Sequence, residues 1–405
     1  MRILFADSLS QQTLDDLQAR GHECVVEAGL SAADLPDHIG GFDVLVVRST
    51  KVPRAVFDAA DRLVLVIRAG AGTNTIDTDA AAEHGVFVCN VPGRNAAAVA
   101  ELAMGLLLAV DRRIADNVAD HRAGHWNKSV YGKSEGLLGS TMGLIGLGSI
   151  GLLVAERAAA FGIRVQALAK PGRSAAVTAR IEELGITLCE SMGELLGSSD
   201  IVSLHVPASA QTKHLVDDAF LAQLRPGAIL LNTSRGDVVD EAALLRALDE
   251  GRVRAGLDVF DGEPGTGKAE WSSPVAQHPA VVATHHIGAS TAQAQRAIAQ
   301  GVTELVDSFM TGAVRDCVNL DPDRLGSAVL IVRHLDRVGV LAQVLDLLRA
   351  DGLNVQHMVN RVFRGGESAA AFIDVEGRLD PQLPERLGAI SHVLGVSVVE
   401  RDAES

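Results

Sequence analysis

The sequence predicts an α/β protein with two doubly wound parallel sheets and a smaller C-terminal βαββαβ unit. Up to about residue 310, short apolar runs alternate with amphipathic segments in two successive series, a pattern typical of parallel sheets with helical crossovers. Hydrophobic residues make up 47% of the 405 residues and aromatic residues only 3%, so the core is expected to consist of Ala, Val, Leu and Ile. From residue 327 the order changes to strand, helix, strand, strand, helix, strand.

The first series predicts five strands, three short helices and one long helix that leads away from the sheet. The strands are RILFAD (2–7), HECVVEA (22–28), FDVLVVRS (42–49), LVLVIRAG (63–70) and VFVCNVP (86–92). The short helices are QQTLDDLQAR (11–20), PRAVFDAA (53–60) and TDAAAEHG (78–85). The long helix is NAAAVAELAMGLLLAVDRRI (95–114).

The second series predicts six strands and a closing helix. The strands begin with TMGLIGLG (141–148) and continue with IRVQALA (163–169), DIVSLHVP (200–207), GAILLNTS (227–234), RAGLDVF (254–260) and AVVATHHIG (280–288). Ser290 and Gln293 fit a capping box before the helix at 292–310. The tail then reads AVLIVRHL (328–335), GVLAQVLDLLRADG (339–352), NVQHMVNRV (354–362), ESAAAFIDVE (367–376), PERLGAIS (384–391) and VSVVE (396–400).

Charge and cysteine usage exclude several classes of function. The formal net charge of −15 argues against nucleic acid or an anionic membrane as the main partner. The four cysteines lie far apart without a C-x-x-C pair, so neither a disulfide framework nor a zinc site is expected. The N-terminus MRILFADS lacks an apolar signal region, and no uncharged run of 18 apolar residues occurs. A soluble, cytoplasmic protein is therefore expected.

The stretch GLIGLGSIG (143–151) supplies the glycine spacing of a dinucleotide-binding loop. Gly146, Gly148 and Gly151 give G-x-G-x-x-G between a predicted strand and a predicted helix. The first allows a tight turn, the second lets the backbone approach a pyrophosphate, and the third lets the helix pack on the strand. The N–H groups at the helix start, Ser149 and Ile150, would then hold the phosphates. An ordinary strand–helix turn is the alternative.

The end of this unit lacks the acidic residue that usually binds the adenosine ribose. Such units place Asp or Glu about 20 residues after the glycines, but here the strand ends at Ala169, and Lys170 and Arg173 follow on a Pro-Gly turn. Without a carboxylate there is no repulsion of the 2′-phosphate of NADP, and both cations are candidates to contact it. Two readings stay open: NADP(H) is tolerated or preferred, or both cations face solvent and Ser174 or the backbone serves NAD.

Three later segments place charged side chains where open α/β sheets bind ligands, at the carboxyl ends of strands. Arg235 follows LLNTS, Glu263 follows LDVFDG, and His285 and His286 follow VVAT. Oxidation of a secondary alcohol by hydride transfer needs a base for the hydroxyl proton, and histidine suits that task. A carboxylate on the other ring nitrogen fixes the tautomer, and a guanidinium binds a substrate carboxylate through two parallel bonds. The alternative is a helix-capping Arg, a surface Glu and a core His.

Across residues 1 to about 318 the sequence resembles the D-isomer-specific 2-hydroxyacid dehydrogenase family. The glycine loop, SLHVPASAQTKHLV, LLNTSRGDVVDEAAL, AGLDVFDGEP and THHIGAST carry the resemblance. It implies that Arg235 binds the substrate carboxylate and keto oxygen, that Glu263 orients the histidine, and that His286 is the acid/base. The family usually has proline where this chain has His285, and His286 is assigned because it directly precedes IGAST.

The resemblance also implies contacts to an NAD or NADP cofactor and to the substrate. Asp258 would face the nicotinamide carboxamide, and the turn at His205, Val206 and Pro207 would line the adenine side. The remaining expected cofactor contacts are Thr212, Thr233, Ser234, His286 and Gly288. VVRSTKV (46–52) and VIRAGAGTN (66–74) resemble the 3-phosphoglycerate dehydrogenase branch of the family. The expected substrate contacts are Arg48, Ser49, Arg68, Ala69 and Gly70, beside Arg235 and His286; the alternative for Arg48 and Arg68 is a pair of surface charges.

In this family the two series form a flavodoxin-like substrate domain and a Rossmann nucleotide domain, with the active site between them. The expected boundaries are 1–95 with 290–318 for the first, 96–289 for the second, 319–326 for a linker and 327–405 for the tail. The tail resembles an ACT domain, an amino-acid-sensing module common on enzymes of this branch. Such modules bind effectors between two copies, and His334, Asp336 and Asn354 stand at the positions that bind serine in regulated relatives.

Together these resemblances imply a homodimeric or homotetrameric enzyme of the 3-phosphoglycerate dehydrogenase branch, at the entry to serine biosynthesis. L-Serine is the expected effector, and the alternative is that the tail only dimerises through its strand edges. Two other functions stay open: a dehydrogenase or reductase for another D-2-hydroxy acid, such as glyoxylate or hydroxypyruvate, and a non-catalytic nucleotide-sensing regulatory protein on the same fold. The set of Arg235, Glu263 and His286 favours chemistry.

Overall fold

The computed structural model describes residues 1–264, 268–321 and 326–401. The chain divides into two compact units, Met1–Asn319 and Leu320–Ser405, and each is described by itself. Residues 322–325 of the expected linker and 402–405 of the expected tail domain lie outside the described residues. The finer domain boundaries stay predictions.

The first sheet of the larger unit contains the five strands that the first series predicts. They are β1 (Arg2–Phe5), β2 (Glu23–Val26), β3 (Val44–Val47), β4 (Leu65–Arg68) and β5 (Phe87–Asn90). All pair in parallel in the order β2-β1-β3-β4-β5, which is the flavodoxin-like order. The helices between them are α1 (Gln11–Ala19), α2 (Leu35–His38), α3 (Arg54–Ala59) and α4 (Thr78–Glu83).

The long helix predicted at 95–114 ends earlier than its sequence suggests. α5 (Ala96–Arg112) buries a stripe of Ala, Leu and Val, and Arg113 then takes a left-handed conformation with φ 50°. The following helices are α6 (Ile114–Arg122), which buries no residue, and α7 (Lys128–Tyr131). The predicted long helix is therefore present, and it ends two residues early because the apolar face that holds α5 on the core stops at Val110.

The second sheet has seven parallel strands in the order β12-β11-β10-β9-β6-β7-β8. They are β6 (Thr141–Ile145), β7 (Arg164–Leu168), β8 (Thr187–Cys189), β9 (Ile201–Leu204), β10 (Ala228–Asn232), β11 (Val253–Leu257) and β12 (Val281–Ala283). Their helices are α8 (Ser149–Ala160), α9 (Ala175–Glu183), α10 (Met192–Ser198), α11 (Asp218–Gln223) and α12 (Glu241–Asp249). The strand order reverses between β6 and β9, and such a switch point is where doubly wound sheets bind ligands.

Sequence reasoning missed β8, since only one of its three residues is buried and no apolar run marks it. The closing helix α13 (Ala292–Met310) returns to the first sheet, where Ile298 and Val302 pack in the cluster that contains Ile3. Thr291 caps it by accepting the N–H of Ala294. The predicted cap at Ser290 is wrong, because that residue still belongs to the preceding turn and donates its N–H to the carbonyl of Ile287.

The smaller unit forms one antiparallel sheet with two helices, as the βαββαβ pattern predicts. Its elements are β13 (Ala328–Leu335), α14 (Val340–Ala350), β14 (Asn354–Val362), β15 (Ser368–Glu376), α15 (Leu383–Gly388) and β16 (Val393–Glu400). The strand order is β14-β15-β13-β16. Leu330, Val344 and Leu387 belong to one buried cluster between the sheet and the helices. The predicted fold class is confirmed for both units.

Candidate active site

The glycine loop joins β6 to α8, and its three glycines meet different steric demands. Gly146 has φ 105°, and a Cβ there would clash with the carbonyl of His205. A Cβ on Gly151 would clash with the carbonyl of Gly146, whereas a Cβ on Gly148 would meet nothing within 4 Å. Two glycines therefore serve the packing of the turn, and Gly148 borders open space from which a ligand can approach the backbone.

The N-terminus of α8 supplies hydrogen-bond donors beside this opening. The helix begins at Ser149, and Gly148 before it provides no side-chain cap. The first N–H groups of a helix, here those of Ser149 and Ile150, have no intrahelical acceptor and favour a bound anion. The loop therefore fits the pyrophosphate of a dinucleotide.

The Arg173 side chain folds back to the end of β7, beside Ala169, the position where dinucleotide-binding units usually carry a carboxylate. Its guanidinium donates to the carbonyl of Leu168 and, at 3.4 Å, to the carbonyl of Lys170. Ala169 and Lys170 are exposed. The ribose end of the site is therefore positively charged, and its guanidinium is held in place by the backbone of the strand end.

The turn after β9 lies against the glycine loop. Burial lowers the pKa of His205 to about 4, so its imidazole is neutral. Nε2 lies 2.9 Å from the Ser203 hydroxyl, and Nδ1 is buried with no partner among the described residues. The Val206 side chain also faces Gly146. The hydroxyl of Thr212 donates to the carbonyl of Pro207 at 2.6 Å, which closes the turn.

Asn232, which the sequence analysis did not single out, organises the turn that carries Arg235. Its Oδ1 accepts the N–H of Ser234 at 3.0 Å and the Ser234 hydroxyl at 2.7 Å, and its Nδ2 donates to the carbonyl of Arg235 at 2.8 Å. The Thr233 hydroxyl is buried without a partner in the described part of the chain. Of the two expected cofactor contacts here, Thr233 is the one whose hydroxyl remains available.

The structure brings His286 and Glu263 together. Nδ1 of His286 hydrogen-bonds Oε1 of Glu263. Burial would raise the pKa of Glu263, but hydrogen bonds from His286 and the Phe260 N–H, with the charge of Arg235, hold it below its ordinary value. The ionised carboxylate therefore fixes the proton on Nδ1 and leaves Nε2 to exchange one. His285 is exposed and has no hydrogen bond to Glu263.

Asp258 holds the loop that carries the histidine. Its carboxylate is 1% exposed and accepts the Thr284 hydroxyl at 2.6 Å and the N–H groups of Ile287 and Gly288 at 2.8 Å each. Its carbonyl accepts the N–H of His286, which has φ 51°. In this structure both carboxylate oxygens therefore bind the loop itself, which gives Asp258 a positioning role besides the expected contact with nicotinamide.

Arg235 reaches from the second sheet to the turn after β4. Its Nη1 donates to the carbonyl of Ser234 at 2.7 Å, and its Nη2 lies where a Cβ on Gly72 would clash. Only a glycine at this position allows the guanidinium to approach so closely. The contact joins the catalytic candidates of the second sheet to the expected substrate turn of the first.

Arg235 forms a cluster with Arg48 and Arg68, called here the guanidinium cluster. Burial, together with the charges of Arg235 and Arg48, lowers the pKa of Arg68 to about 10. Nε of Arg68 is buried without a hydrogen-bond partner among the described residues, and its guanidinium folds over Gly70. Like charges in a partly desolvated place repel strongly. The cluster therefore concentrates positive charge beside the turn after β4, where the Asp7 carboxylate is the negative charge that acts on Arg68.

Asp7 is a second residue that sequence reasoning missed. Its carboxylate accepts the N–H of Arg48 at 2.7 Å, the N–H of Thr50 at 3.1 Å and the Ser49 hydroxyl at 2.8 Å. Burial opposes its ionisation, but these hydrogen bonds hold the pKa of Asp7 below its ordinary value. The hydroxyl of Ser49 is thus bound internally. The position of Asp7 directly after β1, in line with the other strand ends, was the available signal.

Asn90 supports the expected substrate turn from β5. Its Nδ2 donates to the carbonyl of Ala71 at 2.6 Å, and the next N–H, from Val91, donates to the carbonyl of Gly70 at 2.9 Å. The N–H of Ala69 donates to the carbonyl of Val47 at 2.7 Å. The turn is therefore held from both neighbouring strands. The signal in the sequence was an Asn at the end of the VFVCN run.

The three expected effector residues do not meet within one copy of the smaller unit. His334 is 1% exposed; its Nδ1 contacts the carbonyl of the following residue at 2.8 Å, and its Nε2 contacts Oδ1 of Asn360 at 3.2 Å. Asp336 is exposed just after β13, whereas Asn354 begins β14 at the opposite end of the sheet. Within one copy these three residues therefore form no common site.

The described residues exclude two other kinds of site. Within 1–264, 268–321 and 326–401, no group of three or more His, Cys, Asp and Glu is arranged to hold a metal ion. No helix in the same ranges is long and apolar enough to cross a membrane.

Comparison with known proteins assigns the family. Residues 104–288 match the family model described as D-isomer specific 2-hydroxyacid dehydrogenase, NAD binding domain. A hydroxypyruvate reductase of Thermotoga maritima is 40% identical over 309 residues, which cover 75% of this chain and 97% of that protein. The chain belongs to the D-isomer specific 2-hydroxyacid dehydrogenase family. A D-3-phosphoglycerate dehydrogenase of Mycobacterium leprae is 42% identical over 326 residues, 79% of this chain and 59% of that protein.

The chain therefore spans about three fifths of the length of that second relative.

Two solved structures of the same fold contain nucleotides. An NAD-dependent formate dehydrogenase from Staphylococcus aureus in complex with NAD is 28% identical, with a TM-score of 0.65 over 77% of this chain and 96% of that chain. An acyclic imino acid reductase in complex with NADPH and D-Arg is 26% identical, with a TM-score of 0.69 over 78% of this chain and all of that chain.

The geometry predicts that His286, and not its neighbour, is essential. His286→Ala is expected to lower kcat by about two to four orders of magnitude, because it removes the proton acceptor held by Glu263. The Kd of the nucleotide, measured by fluorescence titration, is expected to stay unchanged. His285→Ala is the matched control and should retain near-normal kcat. A crippling effect of His285→Ala, with an active His286→Ala variant, would overturn the assignment.

Proposed function

We propose that the chain is an NAD(P)-dependent dehydrogenase that oxidises the C2 hydroxyl of D-3-phosphoglycerate to 3-phosphohydroxypyruvate. The observation that carries this proposal is the guanidinium cluster beside the His286–Glu263 pair. The substrate has a carboxylate at one end and a phosphate at the other, so Arg235 is matched by the first anion and Arg48 and Arg68 by the second. A short hydroxy acid without phosphate leaves two of the three guanidiniums without an anion.

The proposed mechanism assigns one task to each residue. The bound nicotinamide supplies the hydride acceptor for C2. Arg235 binds the substrate carboxylate through two parallel hydrogen bonds and polarises the developing keto oxygen. Nε2 of His286 accepts the hydroxyl proton, and the Glu263 carboxylate on Nδ1 stabilises the imidazolium that forms. Asp258 fixes the loop and therefore the position of Nε2.

A second candidate function is reduction of a short, unphosphorylated 2-keto acid. The hydroxypyruvate reductase named above matches this chain over almost its whole length, whereas the D-3-phosphoglycerate dehydrogenase is matched over 59% of its length. The smaller unit and the guanidinium cluster favour the first candidate. The two functions differ in whether the far end of the substrate carries a phosphate.

Initial rates over a panel of D-2-hydroxy acids and 2-keto acids, with NAD(H) and NADP(H), test the proposed function. The kcat/KM for D-3-phosphoglycerate is expected to exceed that for D-glycerate by about 100-fold or more. D-Glycerate has no phosphate, so it leaves the guanidiniums of Arg48 and Arg68 without an anionic partner. Arg68→Gln should remove most of this preference with an unchanged KM for the nucleotide.

The other possible outcomes of the substrate panel would each indicate a different function. Faster turnover of glyoxylate or hydroxypyruvate than of the phosphorylated substrate would favour the second candidate. Nucleotide binding without turnover of any member of the panel would instead indicate a non-catalytic nucleotide-sensing protein.

We also propose that the enzyme uses NADP(H) as well as NAD(H). The position that usually carries a carboxylate is Ala169, and the Arg173 guanidinium lies against the end of the same strand. Lys170 is exposed beside it. The Ser174 hydroxyl accepts the N–H of Val177 as the cap of α9, so it is less available to the ribose of NAD. A guanidinium at this place attracts a 2′-phosphate.

Arg173→Ala is expected to raise the KM for NADP(H) about tenfold and to change the KM for NAD(H) little, because only the former carries the 2′-phosphate. Arg164→Ala, at the other end of β7, is the matched control. A strong preference for NAD that persists in Lys170→Ala and Arg173→Ala would contradict this assignment.

We propose further that the chain is a cytoplasmic homodimer or homotetramer whose smaller unit binds L-serine between two copies. The same proposal includes three domains: a substrate domain of residues 1–95 with 290–318, a nucleotide domain of residues 96–289 and a tail domain of residues 327–405. Ile114, Val118, Trp126 and Val130 are all exposed on the stretch from α6 to α7, and α6 buries no residue, which supports a second copy as partner. Calorimetry and activity measurements with millimolar L-serine, repeated with Asn354→Ala, test the effector; absence of both binding and inhibition would leave the tail as an assembly module.

A further inference from the structure

Cys89 and Cys317 are far apart in the sequence and lie opposite each other in the fold. Cys89 is 2% exposed on β5, the edge strand of the first sheet. Cys317 is half-buried in the segment that follows α13, and the two residues form an antiparallel bridge. The segment thus covers the free edge of β5 immediately before the larger unit ends.

Two backbone hydrogen bonds define how Cys89 and Cys317 are oriented toward each other. The N–H of Asn90 donates to the carbonyl of Asp316 at 3.1 Å, and the N–H of Val318 donates to the carbonyl of Val88 at 2.8 Å. The bonds therefore flank the two cysteines, which form a non-hydrogen-bonded pair. In such pairs the Cα atoms are about 4.5 Å apart and the side chains point the same way. A disulfide requires Cα atoms about 4.4 to 6.8 Å apart, so this pair meets the requirement at its short limit.

The two thiols differ in access. Burial, with the neighbouring Cys317 thiol, raises the pKa of Cys89 to about 12. Cys89 is therefore a protonated, enclosed thiol. Cys317 is partly accessible, and its Sγ donates to Oδ1 of Asn319 at 3.2 Å. Reagents reach Cys317 first, and Cys89 is placed to displace whatever becomes attached to it.

We propose that Cys89 and Cys317 form a reversible disulfide by exchange with a low-molecular-weight disulfide such as oxidised glutathione. The thiolate of Cys317 attacks one sulfur of the oxidant, forms a mixed disulfide and releases one thiol. The Cys89 thiol then loses its proton, attacks the Cys317 sulfur and expels the second thiol. Two cysteine thiols are oxidised to one disulfide and one disulfide is reduced to two thiols, so atoms and electrons balance.

The Cys89–Cys317 disulfide would link the last segment of the larger unit covalently to β5. Asn319 already binds there, with Oδ1 accepting the N–H of Val88 at 2.9 Å and Nδ2 donating to the carbonyl of Val86 at 2.8 Å. Asn90, next to Cys89, holds the carbonyl of Ala71 in the substrate turn. A covalent link at this edge therefore opposes local opening of β5 and of the turn that it supports.

The test equilibrates the full chain in glutathione redox buffers, alkylates the free thiols and maps the peptides by mass spectrometry. Four alkylated cysteines are expected under reducing conditions and two under oxidising conditions, with one cross-linked peptide pair that contains residues 89 and 317 and that dithiothreitol separates. Oxidation is expected to slow thermal inactivation about threefold or more. Cys24→Ser, a half-buried cysteine of the same sheet, is the matched control and should still form the link.

Three outcomes would overturn the proposal: four free thiols at the most oxidising ratio, a link that maps to another pair, or slowed inactivation that persists in Cys317→Ser. Peptide mapping of the unmodified chain decides the matter even if Cys317→Ser fails to fold. Neither thiol belongs to the proposed catalytic site, so this result is independent of which substrate is turned over.

Discussion

The partial burial of three neighbouring guanidiniums is the constraint on which the candidate site depends. Arg48 and Arg68 end neighbouring strands of the first sheet, and Arg235 arrives from the second. Burial above all, with the charges of Arg235 and Arg48 and against that of Asp7, lowers the pKa of Arg68 to about 10. Gly72 permits the approach because any Cβ there would clash with Arg235. Such a cost is typical of sites prepared for an anion.

The acid/base pair, His286 and Glu263, is held in place by a separate set of hydrogen bonds. The buried Asp258 carboxylate takes three donors from the loop after β12, and the loop then presents His286 to Glu263. Arg235 contributes to the lowered pKa of Glu263, so the residue that is proposed to bind the substrate carboxylate also favours the ionised partner of the histidine. Arg235 and the His286–Glu263 pair therefore act on each other electrostatically, and the chain's membership of a dehydrogenase family agrees with this arrangement.

The sequence predicted both parallel sheets and the antiparallel unit because periodicity and strand–helix alternation are local properties. It missed β8, which buries one residue, and it did not foresee the left-handed Arg113, since the end of a packed face is decided by tertiary contacts. It named the members of the guanidinium cluster but not Asp7 or Asn90, whose roles arise from hydrogen bonds to distant turns. The facing cysteines were invisible for the same reason: a bridge between residues 89 and 317 has no local signature.

Equilibrium binding of substrate analogues to the nucleotide-free chain tests the role of the guanidinium cluster most directly, because it does not require turnover. Isothermal calorimetry at low and moderate ionic strength would compare D-3-phosphoglycerate with D-glycerate. The account predicts binding at least about tenfold tighter for the phosphorylated acid, weakened by salt because the contacts are ionic. Equal affinities for the two acids, or an affinity for the phosphorylated acid that salt does not change, would contradict it.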